Sequence, residues 1–569
     1  MASFNSAESA PSAQEDSQER KLHGWSLISV LIALLLTMLM SALDITIVDT
    51  AIPRIIGDLH GFNLYSWLIT IYLLSSTISI PIIGKLSDQF GRKWFVVGSV
   101  ACFLIGSSLA GTSQTMVQLI IFRGLQGIGA GALQTLIFTL IADIFSPRER
   151  ARWLGMFGGV FAIASVIGPT TGGWITDHLS WRWVFYINIP IGLLALLALI
   201  VWLPSSISTA TTTVRGWAAF RRVDIIGALM IAAATICLLL FLSLGGQVYA
   251  WNSLPVIALG LGVVVFFALF FFVEARVHEP ILPLSLFRSQ VFTIGALLTL
   301  AQGMAFFGVI VYMPLFIQGV MGQSATSSGA VITPVSISMA AFSTLAGLII
   351  ARIGRYQILA ICGGVFLAVG IFLLTLLNVS ATLLTLILNM IVVGIGLGTL
   401  MPVLNVATQN SLPKSQLGAG TAAVTFLRTM GSTLATAILG TIVTTTYKQY
   451  ITDHLPSAAT TLPSSLLRAA TDQQVLTNTE YRNGILQQGA GLGAQAGTLL
   501  NQIISVVRDA LYTGIHEAFL ISFFLCLVII GLAFLLRDTP LDTKKTSPVQ
   551  VERDAPAIAG ENIPVQERV

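Results

Sequence analysis

The amino-acid sequence predicts an all-α integral membrane protein of about fourteen transmembrane helices, and three observations carry that prediction. Apolar residues fill 55% of the 569 positions against 9% charged, with a mean hydropathy of +0.86, a balance that a water-facing surface of this size cannot accommodate. Segments of roughly 20 largely apolar residues, the length that crosses a hydrocarbon core, recur along almost the whole chain. Lysine and arginine concentrate in alternate connections between those segments, as the positive-inside rule requires.

Taken in order, the first span is expected at 27 to 50. It does not read as a cleaved signal, because residues 1 to 24 carry both signs of charge, its apolar run is too long and it contains Asp44. Further spans are expected at 64 to 84, 94 to 112, 117 to 142, 153 to 176, 182 to 203, 223 to 245, 254 to 274, 291 to 319, 327 to 350, 357 to 377, 381 to 408, 417 to 446 and 516 to 537. With the amino terminus inside, the inner connections receive Lys85, Arg92, Lys93, Arg148, Arg150, Arg152, Arg215, Arg221, Arg222, Arg276, Arg288, Arg352, Arg355 and Lys414, and the short outer loops hold Arg54 and Arg182. Both termini are therefore expected in the cytoplasm. The net charge of +4 records this topology and points to no nucleic-acid partner, since no basic domain exists. Cys102, Cys237, Cys362 and Cys526 all fall in predicted spans without a CxxC pair, so they read as small buried residues; no metal or cofactor is expected.

Two stretches resemble each other across the middle of the chain. GKLSDQFGRK at 84 to 93 aligns with GLIIARIGRY at 347 to 356, matching Gly84 with Gly347, Gly91 with Gly354 and Arg92 with Arg355. About forty residues later in each half, GIGAG at 127 to 131 aligns with GIGLG at 394 to 398, and Pro147 and Pro413 follow. Two six-helix bundles are implied, with the spans near 223 to 245 and 254 to 274 inserted between them. The expected organisation is a cytoplasmic tail (1–24), a first bundle (25–203), a linker with two extra helices (204–280), a second bundle (281–540) and a second cytoplasmic tail (541–569). The polar stretch 447–515 reads as one or two helices over the outer mouth, and the second tail has a disordered composition.

In the loop GKLSDQFGRK, Gly84 and Gly91 let two helices approach, while Asp88, Arg92 and Lys93 can make charge-assisted hydrogen bonds between helix ends. Asp143, at the inner end of the fourth span, is a partner for Arg92, and the whole reads as an ionic latch that holds one conformation closed. A purely topological role for Arg92 and Lys93 is the rival reading.

The pattern G-x-L-x-D-x-x-G-R-K resembles the signature loop of the major facilitator superfamily. LDITIVDTAIPRI at 43 to 55, RGLQGIGAGA at 123 to 132 and GPTTGG at 168 to 173 are similar to motifs of its drug:proton antiporters. WRWVFYINIPIG at 181 to 192, GGQVYAWNS at 245 to 253, EPILPLSLFRSQVF at 279 to 292 and YMPLFIQGVMG at 312 to 322 narrow the resemblance to the fourteen-spanner branch, the EmrB/QacA type. It covers roughly residues 25 to 540 and implies the superfamily's two-bundle fold.

Asp44 and Arg123 each lie about six residues from the outer end of their spans, so they sit at similar depth and can pair. The resemblance implies that Asp44 couples protons. A carboxylate suits that task, because Arg123 favours its charged form and loss of the contact favours protonation. Permanent structural pairing is the rival. Asp49 is about 140° further around the helix and reads as a gate or a solvated group; many family members have an amide there. Gly168, Pro169, Gly172 and Gly173 form a kink with small flanking residues, which the family associates with antiport, although Ala164 stands where a glycine is common.

Arg428 falls mid-span in the second half, where no carboxylate of similar depth is evident; Glu517 is at the outer boundary and Gln302, Asn405 and Gln409 are uncharged. This argues for neutral, monocationic or anionic amphiphiles as substrates. Gln126, Gln302 and Arg428 are the expected cavity residues. No P-loop is present, and no catalytic constellation can be assembled from the histidines, so an ion gradient is the expected energy source and an enzyme is not expected. The expectation is export of small hydrophobic or amphiphilic drugs in exchange for protons, by a monomer in the lipid bilayer of a bacterial plasma membrane. Export or flipping of a lipid or lipid-linked molecule, a dedicated metabolite exporter and a non-transporting scaffold or sensor are the alternatives.

Overall fold

The computed structural model describes residues 24–59, 64–204, 224–245, 249–277, 279–477 and 479–539. Apart from Gly24 the two expected tails lie outside the described residues, as do Arg215, Arg221 and Arg222. Among the described residues no strand forms, and fourteen helices are long and apolar enough to cross a membrane. The first six are α1 (Trp25–Leu59), α2 (Tyr65–Phe90), α3 (Arg92–Thr112), α4 (Met116–Ile144), α5 (Pro147–His178) and α6 (Asn188–Trp202). The inserted pair is α7 (Ile225–Leu244) and α8 (Leu254–Glu274). The last six are α9 (Gln290–Leu315, continued as a π turn Phe316–Val320), α10 (Ala325–Ile353), α11 (Gln357–Thr375), α12 (Leu383–Asn410), α13 (Leu417–His454) and α14 (Ala494–Leu535).

Helix starts follow ordinary capping chemistry. Ser146 and Glu149 form a reciprocal capping box before Pro147 at the start of α5. Thr115, Asp224, Ser289, Ser324 and Thr382 accept from first-turn amides of α4, α7, α9, α10 and α12. The corners between α2 and α3 and between α10 and α11 turn on the aligned glycines Gly91 and Gly354, at φ 94° and 74°, a region that strains side chains with a Cβ. The end of the molecule carrying these corners is called the basic end below.

The glycine repeats make matching helix crossings. Gly127 of α4 packs on Tyr72 and Ser75 of α2 and Gly129 on Phe103 of α3; Gly394 of α12 packs on Val335 and Ser338 of α10 and Gly396 on Leu367 of α11. In each half one helix is thus wedged between two others at contacts where a Cβ does not fit. Gly84 and Gly347 then join the halves. Gly84 of α2 meets Gly418 and Ala422 of α13, and Gly347 of α10 meets Ala151 and Gly155 of α5. Ser343 Oγ donates to Gly155 O (3.1 Å) and Gln409 Nε2 to Phe138 O (3.3 Å). All of these joints lie in the half nearer the basic end, so the two bundles are closed on that side.

The inserted pair packs on the α2–α13 seam: Ile231 and Leu239 of α7 and Phe270 of α8 share a core with Leu74 and Ile80 of α2 and Phe426 and Met430 of α13. Glu274 turns the chain back by accepting from Ile281 N and Leu282 N, each at 3.1 Å, and Gln89 donates to Glu279.

The stretch 447–515 differs from the expectation of a separate cover. Residues 447–454 continue α13 and 494–515 open α14, with short helices between them at Ser457–Thr461, Ser464–Ala470, Gln474–Thr477 and Thr479–Ala490. A hydropathy window ends the spans early because these turns are polar on one side. Their other side is buried, with Leu462, Leu466 and Val475 joining Leu500, Ile503, Val507 and Leu511 in the core of the second bundle.

Candidate functional site

The polar centre of the first bundle is built on Asp44, whose side chain is 0% exposed. Its Oδ2 accepts from Arg123 Nη1 at 2.6 Å, and its Oδ1 accepts from Gln126 Nε2 at 2.8 Å and Asn188 Nδ2 at 2.9 Å. Arg123 Nη1 also donates to Gln126 Oε1 (2.9 Å), and its guanidinium lies 4.0 Å over the Tyr72 ring. Asn188 Nδ2 reaches Ser107 Oγ at 3.1 Å, which donates to Phe185 O at 2.8 Å. Thus Arg123 and Gln126 of α4 and Asn188 of α6 converge on one carboxylate of α1, with Ser107 of α3 behind Asn188.

Gln126, expected in the cavity, is instead fully buried with both amide atoms engaged by Asp44 and Arg123. Asn188 and Ser107 were not anticipated. The only signal for Asn188 was an amide inside the apolar run YINIPIG, which carries no charge to mark it. Asp49 lies on α1, but its side chain is outside the described residues.

Gly168 of α5 packs directly on Thr46, two residues from Asp44, so a Cβ at that position would push α1 away. Pro169 is exposed, Gly172 is buried and Gly173 borders open space. Within GPTTGG, Gly168 is the residue that sets the position of α1.

At the basic end, Asp88 accepts from Gly418 N (3.0 Å) and Ala419 N (2.7 Å), first-turn amides of α13. A carboxylate there satisfies orphan donors and complements the helix dipole. Asp88 also pairs with Arg92, which donates to Asp143 Oδ2 (2.7 Å) and Ser87 Oγ (2.7 Å). The chain Asp143–Arg92–Asp88–α13 therefore runs from one bundle into the other. Lys93 stands outside it: its Nζ donates to Ile200 O (2.8 Å) at the end of α6. The backbone partners of Asp88 were not legible, because every residue carries the same amide.

In the second bundle, Gln302 on α9 is 6% exposed, its Nε2 lies 3.4 Å from Leu397 O and its Oε1 has no partner among the described residues. Arg428 on α13 is part-buried, with Nε and Nη2 covered and unbonded among the described residues. The two helices cross where Gly303 meets the Arg428 carbonyl, which places Gln302 and Arg428 at one depth.

A family model described as Major Facilitator Superfamily matches residues 34–273 and 205–436, the two matches overlapping across the inserted pair. Multidrug transporter protein MdtP of Bacillus subtilis (strain 168) is 35% identical over 534 residues, covering 93% of this chain and 96% of that protein. Multidrug resistance protein 3 of the same organism is 36% identical over 493 residues, covering 87% and 92%. Efflux pump FUS6 of Gibberella fujikuroi is 32% identical over 443 residues, covering 77% and 79%. Among solved structures, the proton:xylose symporter XylE aligns with a TM-score of 0.53 at 15% identity, covering 75% of this chain and 90% of that one, a likeness of fold alone.

Proposed function

The chain belongs to the major facilitator superfamily, and from that premise we propose that it exports hydrophobic or amphiphilic drugs in exchange for protons, by alternating access between its two bundles. The observation that carries this reading is Asp44: a fully buried carboxylate held by Arg123, Gln126 and Asn188 from two neighbouring helices. An ionisable group at that depth is costly to keep unless it works. The relatives' names, a multidrug transporter, a multidrug resistance protein and an efflux pump, supply the substrate class.

In this scheme the basic end faces the cytoplasm, as the positive-inside rule directs, so the conformation described is closed inside. A proton from outside protonates Asp44 and releases Arg123 from its ion pair. α1 and α4 then lose the ion pair between them and keep only the Gln126 contact at Asp44, and the first bundle is freed to move against the second. Opening inside requires Asp88 to leave Gly418 and Ala419, which breaks two charge-assisted bonds at the start of α13. In the inward-open state Asp44 releases its proton to the cytoplasm and re-forms its pair with Arg123 as the drug enters; the loaded protein then returns to the described conformation and the drug leaves outside.

The test uses proteoliposomes with an imposed proton gradient and a panel of dyes, drugs and labelled lipids, comparing the parent with Asp44→Asn. Gradient-driven dye movement that disappears in the variant supports the scheme. Equal proton dependence in both removes the role of Asp44, and movement of labelled lipids alone replaces the drug reading with lipid export.

A further inference from the structure

We propose that Arg428 forms a subsite for the anionic head of an amphiphilic substrate, so that the transporter prefers acidic amphiphiles to cationic ones of the same apolar body. The inference rests on the export reading and adds the substrate's charge. An arginine guanidinium keeps its charge at neutral pH even when buried. At Arg428 it makes no hydrogen bond or ion pair with any described residue, and its Nε and Nη2 are shielded from water. A buried donor left without a partner is costly, and a cation without a counter-ion more so.

No described side chain answers that charge. Glu274, Glu279 and Asp538 are at the basic end, and Asp453, Asp472 and Asp509 belong to the opposite end. Glu517 is held by Thr446, which lies roughly 27 Å further along α13 from Arg428 at the helical rise per residue. Asp44, the deep carboxylate of the first bundle, has its oxygens filled by Arg123, Gln126 and Asn188.

Helical geometry gives Arg428 its direction. Two faces of α13 are covered: Ala422, Phe426 and Met430 pack toward α2 and α7, and Ala423 and Val424 toward Phe292 and Ala296 of α9. The remaining face carries Thr421, Thr425, Arg428, Thr429, Ser432 and Thr436. Its Thr421 meets Gln409 of α12 at 3.2 Å, and Gln409 also donates to Phe138 O of α4 in the first bundle, so this face turns toward the interface between the bundles. The hydroxyls of Thr425, Thr429, Ser432 and Thr436 donate to carbonyls four residues back, so on this face they present acceptors. The guanidinium is the group that remains free to donate, and a carboxylate or similar oxyanion is the ligand chemistry that matches it. Gln302, whose Oε1 is also unbonded, offers an acceptor at the same depth for a hydroxyl or N–H beside the acid.

The test is equilibrium binding to the full chain in lipid nanodiscs, without a gradient, using three dansyl probes with one undecyl body and a carboxylate, a carboxamide or a trimethylammonium head, corrected for empty nanodiscs. The parent should bind the carboxylate about tenfold to a hundredfold tighter than the amide, the value of one charge-assisted contact. Arg428→Gln should bring the two within about twofold, and Arg428→Lys should keep part of the preference. Equal binding of the three heads by the parent, or an unchanged preference in Arg428→Gln, overturns the subsite. Because binding is read without a gradient, a head preference in a protein that moves no probe would reject the export reading alone. Gradient-driven movement of the amide with an unchanged ranking in Arg428→Gln would reject the subsite alone.

Discussion

The corners α2–α3 and α10–α11 are built on one plan and secured by different chemistry. Both turn on a glycine with positive φ, Gly91 and Gly354, and both precede a helix wedged by glycines at matching positions. The first corner places Asp88 on the amides of α13 and buries Arg92 against Asp143. At the second, Ala351 stands where Asp88 would be and Arg355 is exposed, while Asp538 accepts from Tyr356 N and Gln357 N at 2.9 Å each, a bond within the second half. Backbone shape has been kept in both copies, and the charges that tie one bundle to the other are in the first. The same division holds deeper in the bundles, where Arg123 is paired with Asp44 and Arg428 has no partner among the described residues.

The largest test of that division compares the two deep arginines. Arg123→Ala strands Asp44 without its cation and should cost about 3–5 kcal/mol, read as thermal unfolding in detergent. Arg428→Ala removes a cation that no described residue answers and should cost less than about 1 kcal/mol. Equal losses would abolish the contrast.

Asp88→Asn should weaken the closed basic end by about 1.5–3 kcal/mol, the range for a hydrogen bond to a charged group. Spin labels at the exposed positions Arg152 and Arg352 would report this as a longer-distance population between α5 and α10. An unchanged distance distribution would show that Asp88 does not hold the closure. Gly84→Ala and Gly347→Ala sharpen the comparison from the other side, because each puts a Cβ into the facing helix. Both should open the basic end by a similar amount, about 1–3 kcal/mol, and an effect of one without the other would make the seams unequal in packing as well as in charge. The smallest expected effect is that of Arg355→Ala, within about 0.5 kcal/mol in the same unfolding assay, against a loss of several for Arg92→Ala, which uncovers Asp88 and Asp143.

The fourteen spans, the inserted pair and the glycine crossings were legible because apolar length and small-residue spacing are local properties of the chain. The shared depth of Asp44 and Arg123 was legible for the same reason, since depth follows from counting residues along a helix. Facing direction is not local, so the sequence points Gln126 at the cavity although it binds Asp44, and groups Lys93 with the latch although it bonds Ile200. Asn188 was overlooked because it is an uncharged residue in an apolar motif. The ends of α13 and α14 were placed too early because a hydropathy window registers polar residues without registering that the opposite side of the same turns is buried.

The central claim is that protons are handled at Asp44 and substrate at the second bundle. It is tested most directly by counting protons released when a transported dye binds the purified protein in weakly buffered detergent at neutral pH. The parent should release protons on binding, Asp44→Asn should bind the dye and release none, and Arg428→Gln should release as many per bound dye as the parent. Proton release that persists in Asp44→Asn, or that disappears in Arg428→Gln while the dye still binds, would contradict the account.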